Sequence, residues 1–371
     1  MIAFGPVPSR RLGRSLGINN IPPKVCTYSC VYCQLGRTTK MRVERGAFYE
    51  PEEVAQAVRE KVEQARKADE AIDYLAFVPD GEPTLDVNLG REIELLGPLG
   101  IKIAVITNGS IIWREDVREG LMKADWVSLK IDSTREEIWR WMDRPHGSLQ
   151  LAVILESMLE FAGGYGGKLV TETMLVAGVN DSDALVGEVA DFLSRLRPAV
   201  AYLSVPTRPP AEEWVRPPGE EFVNRACQIL GERVEQVEHL IGYEGNAFAF
   251  TGDVEEDLLS ITAVHPMREE AVGAFLARAG ADWPVVHGLI AQDQLVEAEY
   301  RRQKFYLRKL KVGQAFEPAA RTGEKADPTL ERKGDGYTDG VGGCGPLYGL
   351  RRVRAGVLCR GHRSGGGQGR C

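Results

Sequence analysis

Between residues 15 and 206, short apolar runs alternate with longer stretches whose apolar residues recur at helical spacing. The runs are residues 15–21, 72–78, 102–107, 126–131, 168–176 and 201–205. They are rich in Val, Ile, Leu and Ala, too short for most helices, and bounded by turn residues. Between them, residues 51–68 place Val54, Ala55, Val58, Val62 and Ala65 on one face and open with Pro51, which suits a first helical turn. Residues 183–195 and 218–230 read in the same way. Six such alternations predict an α/β fold with parallel strands covered by helices. The pattern fits an open doubly wound sheet and equally a partial or full (β/α) barrel.

Polar motifs fall where such a fold places its chemistry. After, or at the end of, successive runs come Asp80-Gly81-Glu82, Thr107-Asn108-Gly109, Lys130 with Asp132, Asn180-Asp181 and Pro206-Thr207-Arg208. Parallel α/β folds gather functional groups at the carboxyl ends of their strands. Gly, Asn, Asp and Pro also suit plain turns, but five such motifs in register point to a shared site.

A second unit is expected over residues 251–312. Residues 268–279 are helical in pattern, Gly280 breaks them, and 282–292 give a second short helix. Residues 295–300 and 304–310 then form a hairpin around Arg301-Arg302-Gln303, a winged-helix-like order. Its cations Arg308, Lys309 and Lys311 suit phosphate, and a protein-docking role suits the same layout. Residues 313–371 hold fifteen of the 41 glycines and little apolar periodicity, so a disordered tail is expected there.

Composition narrows the class. The chain is 43% hydrophobic and 27% charged, which excludes collagen-like and disulfide-scaffold proteins. No apolar run reaches the roughly 18 residues of a membrane helix, and the first residues lack the pattern of a secretory signal. A cytoplasmic protein is therefore expected, in which grouped cysteines serve metals rather than disulfides. The net charge of −7 argues against a general nucleic-acid coat. Residues 1–50 run the other way, with eight basic residues against two acidic, which suits a local anion site or a solvated surface.

Three of the seven cysteines are grouped: Cys26, Cys30 and Cys33 form C-x3-C-x2-C just after the first run. Cys227 lies in a helical pattern and reads as an inert core thiol; Cys344, Cys359 and Cys371 are scattered in the tail. Structural zinc takes four ligands, and the nearest histidine, His146, is remote. Electron-carrying clusters also usually take four cysteines. Three thiolates without a marked fourth point to a four-iron cluster with one iron left open. A zinc-stabilised protein with a distant fourth ligand, an electron carrier and a non-catalytic nucleic-acid adaptor stand as alternatives.

The loop Val25-Cys26-Thr27-Tyr28-Ser29-Cys30-Val31-Tyr32-Cys33 resembles the signature of the radical S-adenosylmethionine (radical SAM) superfamily. The resemblance spans residues 1–250 and implies a (β/α) barrel, partial or full, there. It implies a [4Fe–4S] cluster on Cys26, Cys30 and Cys33, with S-adenosylmethionine chelating the fourth iron. Tyr32 would then lie beside the adenine. Asp80-Gly81-Glu82 resembles the family's Gly-Gly-Glu element, with Asp80 in place of the first glycine. The resemblance further implies cofactor contacts from Gly81, Glu82, Thr107, Asn108, Ser128, Lys130, Asp132 and Asn180. It implies reductive cleavage to a 5′-deoxyadenosyl radical that abstracts hydrogen from substrate, and a one-electron donor such as flavodoxin or ferredoxin. Residues 5–13, with Gly81-Glu82-Pro83-Thr84, are most similar to a branch related to tRNA wyosine-base synthases. No cysteine precedes Cys26, unlike the second-cluster cysteines of those enzymes. The resemblance leaves three substrate classes open: tRNA, peptide and small molecule.

Overall fold

The first strand forms where the pattern shows none. Ala3–Ser9 (β1) runs antiparallel to Gly13–Ile18 (β2) in the computed structural model, which describes residues 2–240, 245–246 and 248–309. Two prolines and a glycine hide β1 from an alternation test, because such residues are confined to edges and bulges. β1 is an edge strand, its register slips between Phe4 and Val7, and Gly5 sits in the slip at φ 91°.

The chain continues through the two-residue strands β3 (Val25–Cys26) and β4 (Lys40–Met41), which pair in parallel. Next come α1 (Pro51–Lys67), β5 (Tyr74–Phe77), α2 (Leu89–Leu96), β6 (Lys102–Thr107), α3 (Glu115–Leu121) and β7 (Trp126–Lys130). They are followed by α4 (Glu136–Asp143), α5 (Leu151–Gly164), β8 (Lys168–Met174), α6 (Asp183–Leu196), β9 (Val200–Ser204), α7 (Glu220–Gly231) and β10 (Val237–Leu240). One eight-stranded sheet has the order β1-β2-β5-β6-β7-β8-β9-β10, parallel throughout from β2 onward. It is a helix-covered half-barrel, the partial form of the two barrels expected. β10 escapes the pattern because Val237-Glu238-His239-Leu240 is half polar and only Leu240 is fully buried.

Successive strand residues point to opposite faces. Leu75, Val105, Val127, Leu129 and Leu203 pack under the helices, whereas Ala76, Ala104, Trp126, Val170 and Tyr202 pack together on the inner face. Two and four residues further along, that inner face carries Ser128, Lys130, Glu172 and Ser204. The apolar floor of the half-barrel thus gives way to a polar mouth at the carboxyl ends of its strands.

The C-terminal module contains α8 (Val254–Val264), β11 (Met267–Arg268), α9 (Glu269–Ala279), α10 (Pro284–Ala291), β12 (Leu295–Tyr300) and β13 (Gln303–Arg308). Its antiparallel sheet order β11-β13-β12 gives the winged-helix-like arrangement, with α8 and β11 added to the expected elements. The module's core includes Phe4 and Val7 of β1, and Ala249 N–H donates to the Pro6 carbonyl at 3.2 Å. Lys61 of α1 donates to Asp257 of α8 at 3.0 Å. The otherwise open strand edge is therefore covered, which removes a pairing hazard. The expected disordered tail, 313–371, lies outside the described residues, as do Cys344, Cys359 and Cys371.

Glu92 of α2 is fully buried beside Asp86. Burial, with the Asp86 charge adding to it, pushes its carboxyl up to about 8. A carboxyl raised by folding keeps a proton that the unfolded chain gives up, so stability falls as pH rises from about 4.5 to 8. Glu92→Gln should therefore raise the Tm by about 2–4 °C at pH 8 and leave it unchanged near pH 5. A Tm-against-pH series checks this; an unaltered slope would count against it.

Candidate functional site

The cysteine loop is fixed from two sides. On one side, Val31 N–H donates to the Met142 carbonyl at 2.9 Å and Ser29 N–H to that of Asp143 at 3.0 Å, tying the loop to the end of α4. Tyr28 is buried edge-on to Trp139, whose Nε1 donates to its hydroxyl at 3.1 Å. On the other side, the turn after β5 closes on the approach to Cys26. Lys24 N–H donates to the Asp80 carbonyl at 2.6 Å, and Glu82 N–H to that of Val25 at 3.1 Å. A Cβ on Gly81 would lie 1.9 Å from the Val25 carbonyl oxygen, so only glycine allows this approach.

Cys26, Cys30 and Cys33 are reduced and half-buried on this loop. Tyr28 N–H and Asn108 Nδ2 donate to the Cys26 sulfur at 3.5 and 3.7 Å. Burial first, and then the Glu82 charge, pushes the Cys26 thiol up to about 12; burial and Asp143 push Cys30 well up. Metal loading must displace these protons. Among the described residues, no group of three or more Cys, His, Asp or Glu is gathered around a single-ion position. The C-x3-C-x2-C donor set is of the all-thiolate kind that iron–sulfur clusters take. The donor set fits a cluster, with sulfur-directed hydrogen bonds in place on Cys26. Cys227 lies far along the chain on α7.

The other expected residues come to the same end of the sheet, in two networks. In the first, both oxygens of buried Glu82 are engaged. Oε1 accepts from Thr84 N–H (3.0 Å), Thr84 Oγ1 (2.6 Å) and Thr107 Oγ1 (2.5 Å), and Oε2 from Asn108 N–H (2.8 Å). Asn108 Nδ2 donates to Thr27 Oγ1 at 2.8 Å. Glu82 thus staples the β5 turn to the end of β6, in a tighter role than a free ligand for an ammonium group. Glu82→Gln places an amide N–H₂ against these donors and should destabilise the chain by about 1–3 kcal/mol. Urea denaturation of the metal-free protein checks this, and an unchanged midpoint would contradict the staple.

The second network lines the inner face. Lys130 Nζ donates to Glu172 Oε1 at 3.2 Å, lies 3.8 Å from Asp132 and sits 4.8 Å from the centre of the Tyr32 ring. The Tyr32 hydroxyl donates to Asp132 and also contacts Asp143 at 2.8 Å, while Cys30 Sγ lies 3.2 Å from the same Asp143 oxygen. Glu172 also pairs with Arg11 and accepts from Ser204 Oγ at 2.9 Å. Burial alone would raise the Glu172 carboxyl, but Lys130 and Arg11 hold it far below the usual range. Burial likewise works against the Lys130 ammonium, but Asp132 and Glu172 hold it charged. Ser128 is buried on the same face. Asn180 saturates its amide on backbone: Nδ2 donates to the Asp132 and Met174 carbonyls, and Oδ1 accepts from Val176 N–H.

Glu172, Asp143, Ser204 and Thr27 are absent from the expected set. Only Glu172 left a signal, as a lone carboxylate within an apolar run, and its cross-strand partner in the register is Lys130. Segments 34–48 and 207–218 meet over the cysteine loop. Arg37 forks onto Glu212 at 2.9 and 3.1 Å, Glu212 N–H donates to the Val31 carbonyl, and Arg208 donates to Gln34 at 2.6 Å. Gln34 Nε2 reaches the Val264 carbonyl of α8 at 3.1 Å, and the Tyr300 hydroxyl of β12 reaches that of Pro206 at 3.2 Å. The C-terminal module therefore touches the rim of the mouth.

Comparison with known proteins bears on this site. Residues 20–189 match the profile of the Radical SAM superfamily. A UPF0026 protein of Methanocaldococcus jannaschii is 46% identical over 312 residues, covering 84% of this chain and 97% of that one. A UPF0026 protein of Helicobacter pylori strain J99 is 35% identical over 56% of this chain and 67% of its own. Among solved structures, a radical SAM methyltransferase from Sphaerobacter thermophilus is 18% identical, covering 61% of this chain and 66% of that one, with a TM-score of 0.44.

Proposed function

This chain belongs to the UPF0026 family, and its residues 20–189 match the radical SAM superfamily, whose enzymes use a [4Fe–4S] cluster and S-adenosylmethionine; on that premise we propose that it is a hydrogen-abstracting enzyme acting at the mouth of its half-barrel. When bound, the cluster and S-adenosylmethionine supply a reductively generated 5′-deoxyadenosyl radical; the protein supplies position and exclusion of water. Cys26, Cys30 and Cys33 hold the cluster. Tyr32, Ser128, Lys130 and Asp132 face the bound cofactor, while Glu82, Thr107 and Asn180 fix the backbone that meets it. Gly81 allows the close approach, and Asn108 orients the Cys26 sulfur. The carrying observation is the placement of the three-cysteine loop beside a buried, charge-balanced polar mouth, with segments 34–48 and 207–218 over it.

A non-catalytic nucleic-acid adaptor has less support. The helix α10, Pro284-Val285-Val286-His287-Gly288-Leu289-Ile290-Ala291, carries no Lys or Arg, and part of the module's apolar surface is taken up by β1. The one-electron donor, flavodoxin-like or ferredoxin-like, and the cytoplasmic setting belong to the same proposal; among the described residues no helix is long and apolar enough to cross a membrane.

The test is anaerobic reconstitution of the full chain with iron and sulfide, then addition of S-adenosylmethionine and dithionite. The expected result is about four irons per chain, a paramagnetic spectrum altered by S-adenosylmethionine, and release of 5′-deoxyadenosine. A screen of tRNA, peptides and small metabolites should then show one class that raises this release. Stoichiometric zinc, or a cluster without any 5′-deoxyadenosine, would overturn the proposal.

A further inference from the structure

Lys24 stands two residues before the first cluster cysteine and is held unusually firmly. Its backbone takes φ 62°, a left-handed conformation that non-glycine residues rarely adopt. Three hydrogen bonds hold it there: its N–H donates to the Asp80 carbonyl, and its own carbonyl accepts from Thr39 and Lys40 N–H at 3.3 and 3.1 Å. Pro22 and Pro23 stiffen the approach. The side chain is carried inward, leaving the residue 3% exposed, and its Nζ has no hydrogen-bond partner. Asp80, 4% exposed, likewise leaves Oδ1 without a partner.

A buried ammonium without a hydrogen-bonded counter-ion is strongly disfavoured, so such a group marks a place where further negative charge arrives. Burial works against the Lys24 ammonium, and negative charge on Cys33, Asp80 and Cys26 favours it. Two of these are cluster ligands, and a thiolate-bound cluster brings anionic charge to that position. Lys130 makes the contrast: it is matched by Glu172, Asp132 and the face of Tyr32 without any added group. Burial pushes the Asp80 carboxyl up to about 7, against the charges of Lys24 and of Arg308 in the C-terminal module.

Resting on the cluster reading above, we propose that Lys24 is a positioning residue whose ammonium serves as the buried counter-charge to the Cys26 and Cys33 side of the cluster, opposed by Asp80, and that the pair sets the cluster's reduction potential. Net charge beside a cluster is one of the levers on that potential. Removing the cation disfavours the reduced, more negative state; removing the carboxylate favours it.

The experiment is a spectroscopically monitored redox titration of the reconstituted full-length chain without S-adenosylmethionine, in wild type, Lys24→Met, Lys24→Arg and Asp80→Asn. Lys24→Met should keep its irons and show about a tenfold lower ratio of reduced to oxidised cluster at fixed potential, about 59 mV for one electron. Lys24→Arg should return towards wild type, and Asp80→Asn should shift the opposite way. An iron-replete Lys24→Met with an unmoved midpoint overturns the proposal. If Lys24→Met assembles no cluster, Asp80→Asn decides: a positive shift supports the proposal, and no shift or a negative one overturns it. A wild-type chain that binds no cluster refutes the underlying functional reading instead, and iron content separates that failure from the others.

Discussion

Cys30→Ala is expected to leave the chain folded and unable to assemble its cluster. Cys30 sits at the middle of the loop, where Ser29 and Val31 on either side are held to the end of α4 by backbone hydrogen bonds that the substitution does not touch. Circular dichroism and the unfolding midpoint of the metal-free protein should therefore stay close to wild type. Cluster loading should collapse, because the remaining two cysteines on the loop cannot hold a cubane. Loss of partners that merely orient a ligand costs about 10–100-fold in metal affinity, so loss of the ligand itself should exceed about 100-fold. Release of 5′-deoxyadenosine should fall at least as far. Cys227→Ala is the control: its thiol is on α7, and burial alone pushes it up to about 11. It should keep a full complement of iron. A Cys30→Ala protein with normal iron content would show that the ligands are misassigned.

Lys61→Met should be among the most destabilising single changes in the chain. Lys61 is 5% exposed on α1, and its ammonium donates to Asp257 at 3.0 Å and Thr251 Oγ1 at 2.8 Å. Asp257, 1% exposed, accepts besides from the backbone N–H and hydroxyl of Thr251. Methionine matches the lysine stem and leaves a buried carboxylate without its cation, which costs about 3–5 kcal/mol. Replacing both partners, as Lys61→Met with Asp257→Leu, should recover much of that loss, because a matched apolar pair avoids burying charge. Urea denaturation of the two variants gives the comparison; a single-variant loss below about 1 kcal/mol would show the pair to be solvated. Phe4 and Val7 lie in the module's core and Lys61 in its docking pair. Barrel and module should therefore unfold in one transition, visible as coincident signals from Trp126 in the barrel floor and Trp283 in the module.

Glu82 shows how far a strand-end motif can be read. Its position after an apolar run, with Gly81 before it, marks it as a site residue in the sequence. That its carboxylate is already filled by Thr107 and Asn108, besides its near neighbour Thr84, follows only from the β5–β6 register, which sets residues 25 and 26 positions apart side by side. Lys130 and Asp132 stand together at a strand end in the sequence; the nearer partner Glu172 lies on the neighbouring strand, 42 residues away.

By itself the sequence determined what depends on short covalent spacing: the cysteine loop, the six strand–helix alternations, and two helices and the hairpin of the C-terminal module. Periodicity and turn chemistry act over a few residues, so they are written locally. Tertiary structure alone decided what depends on which distant segments share a face. It made a strand of β1 despite its prolines, because an edge position and a covering module tolerate them. It joined Lys130, Glu172 and Arg11 into one charge network, and it buried the Lys24 ammonium without a partner. Burial and long-range register turn an ordinary charged residue into a costly one, and neither exists until the sheet has closed around it.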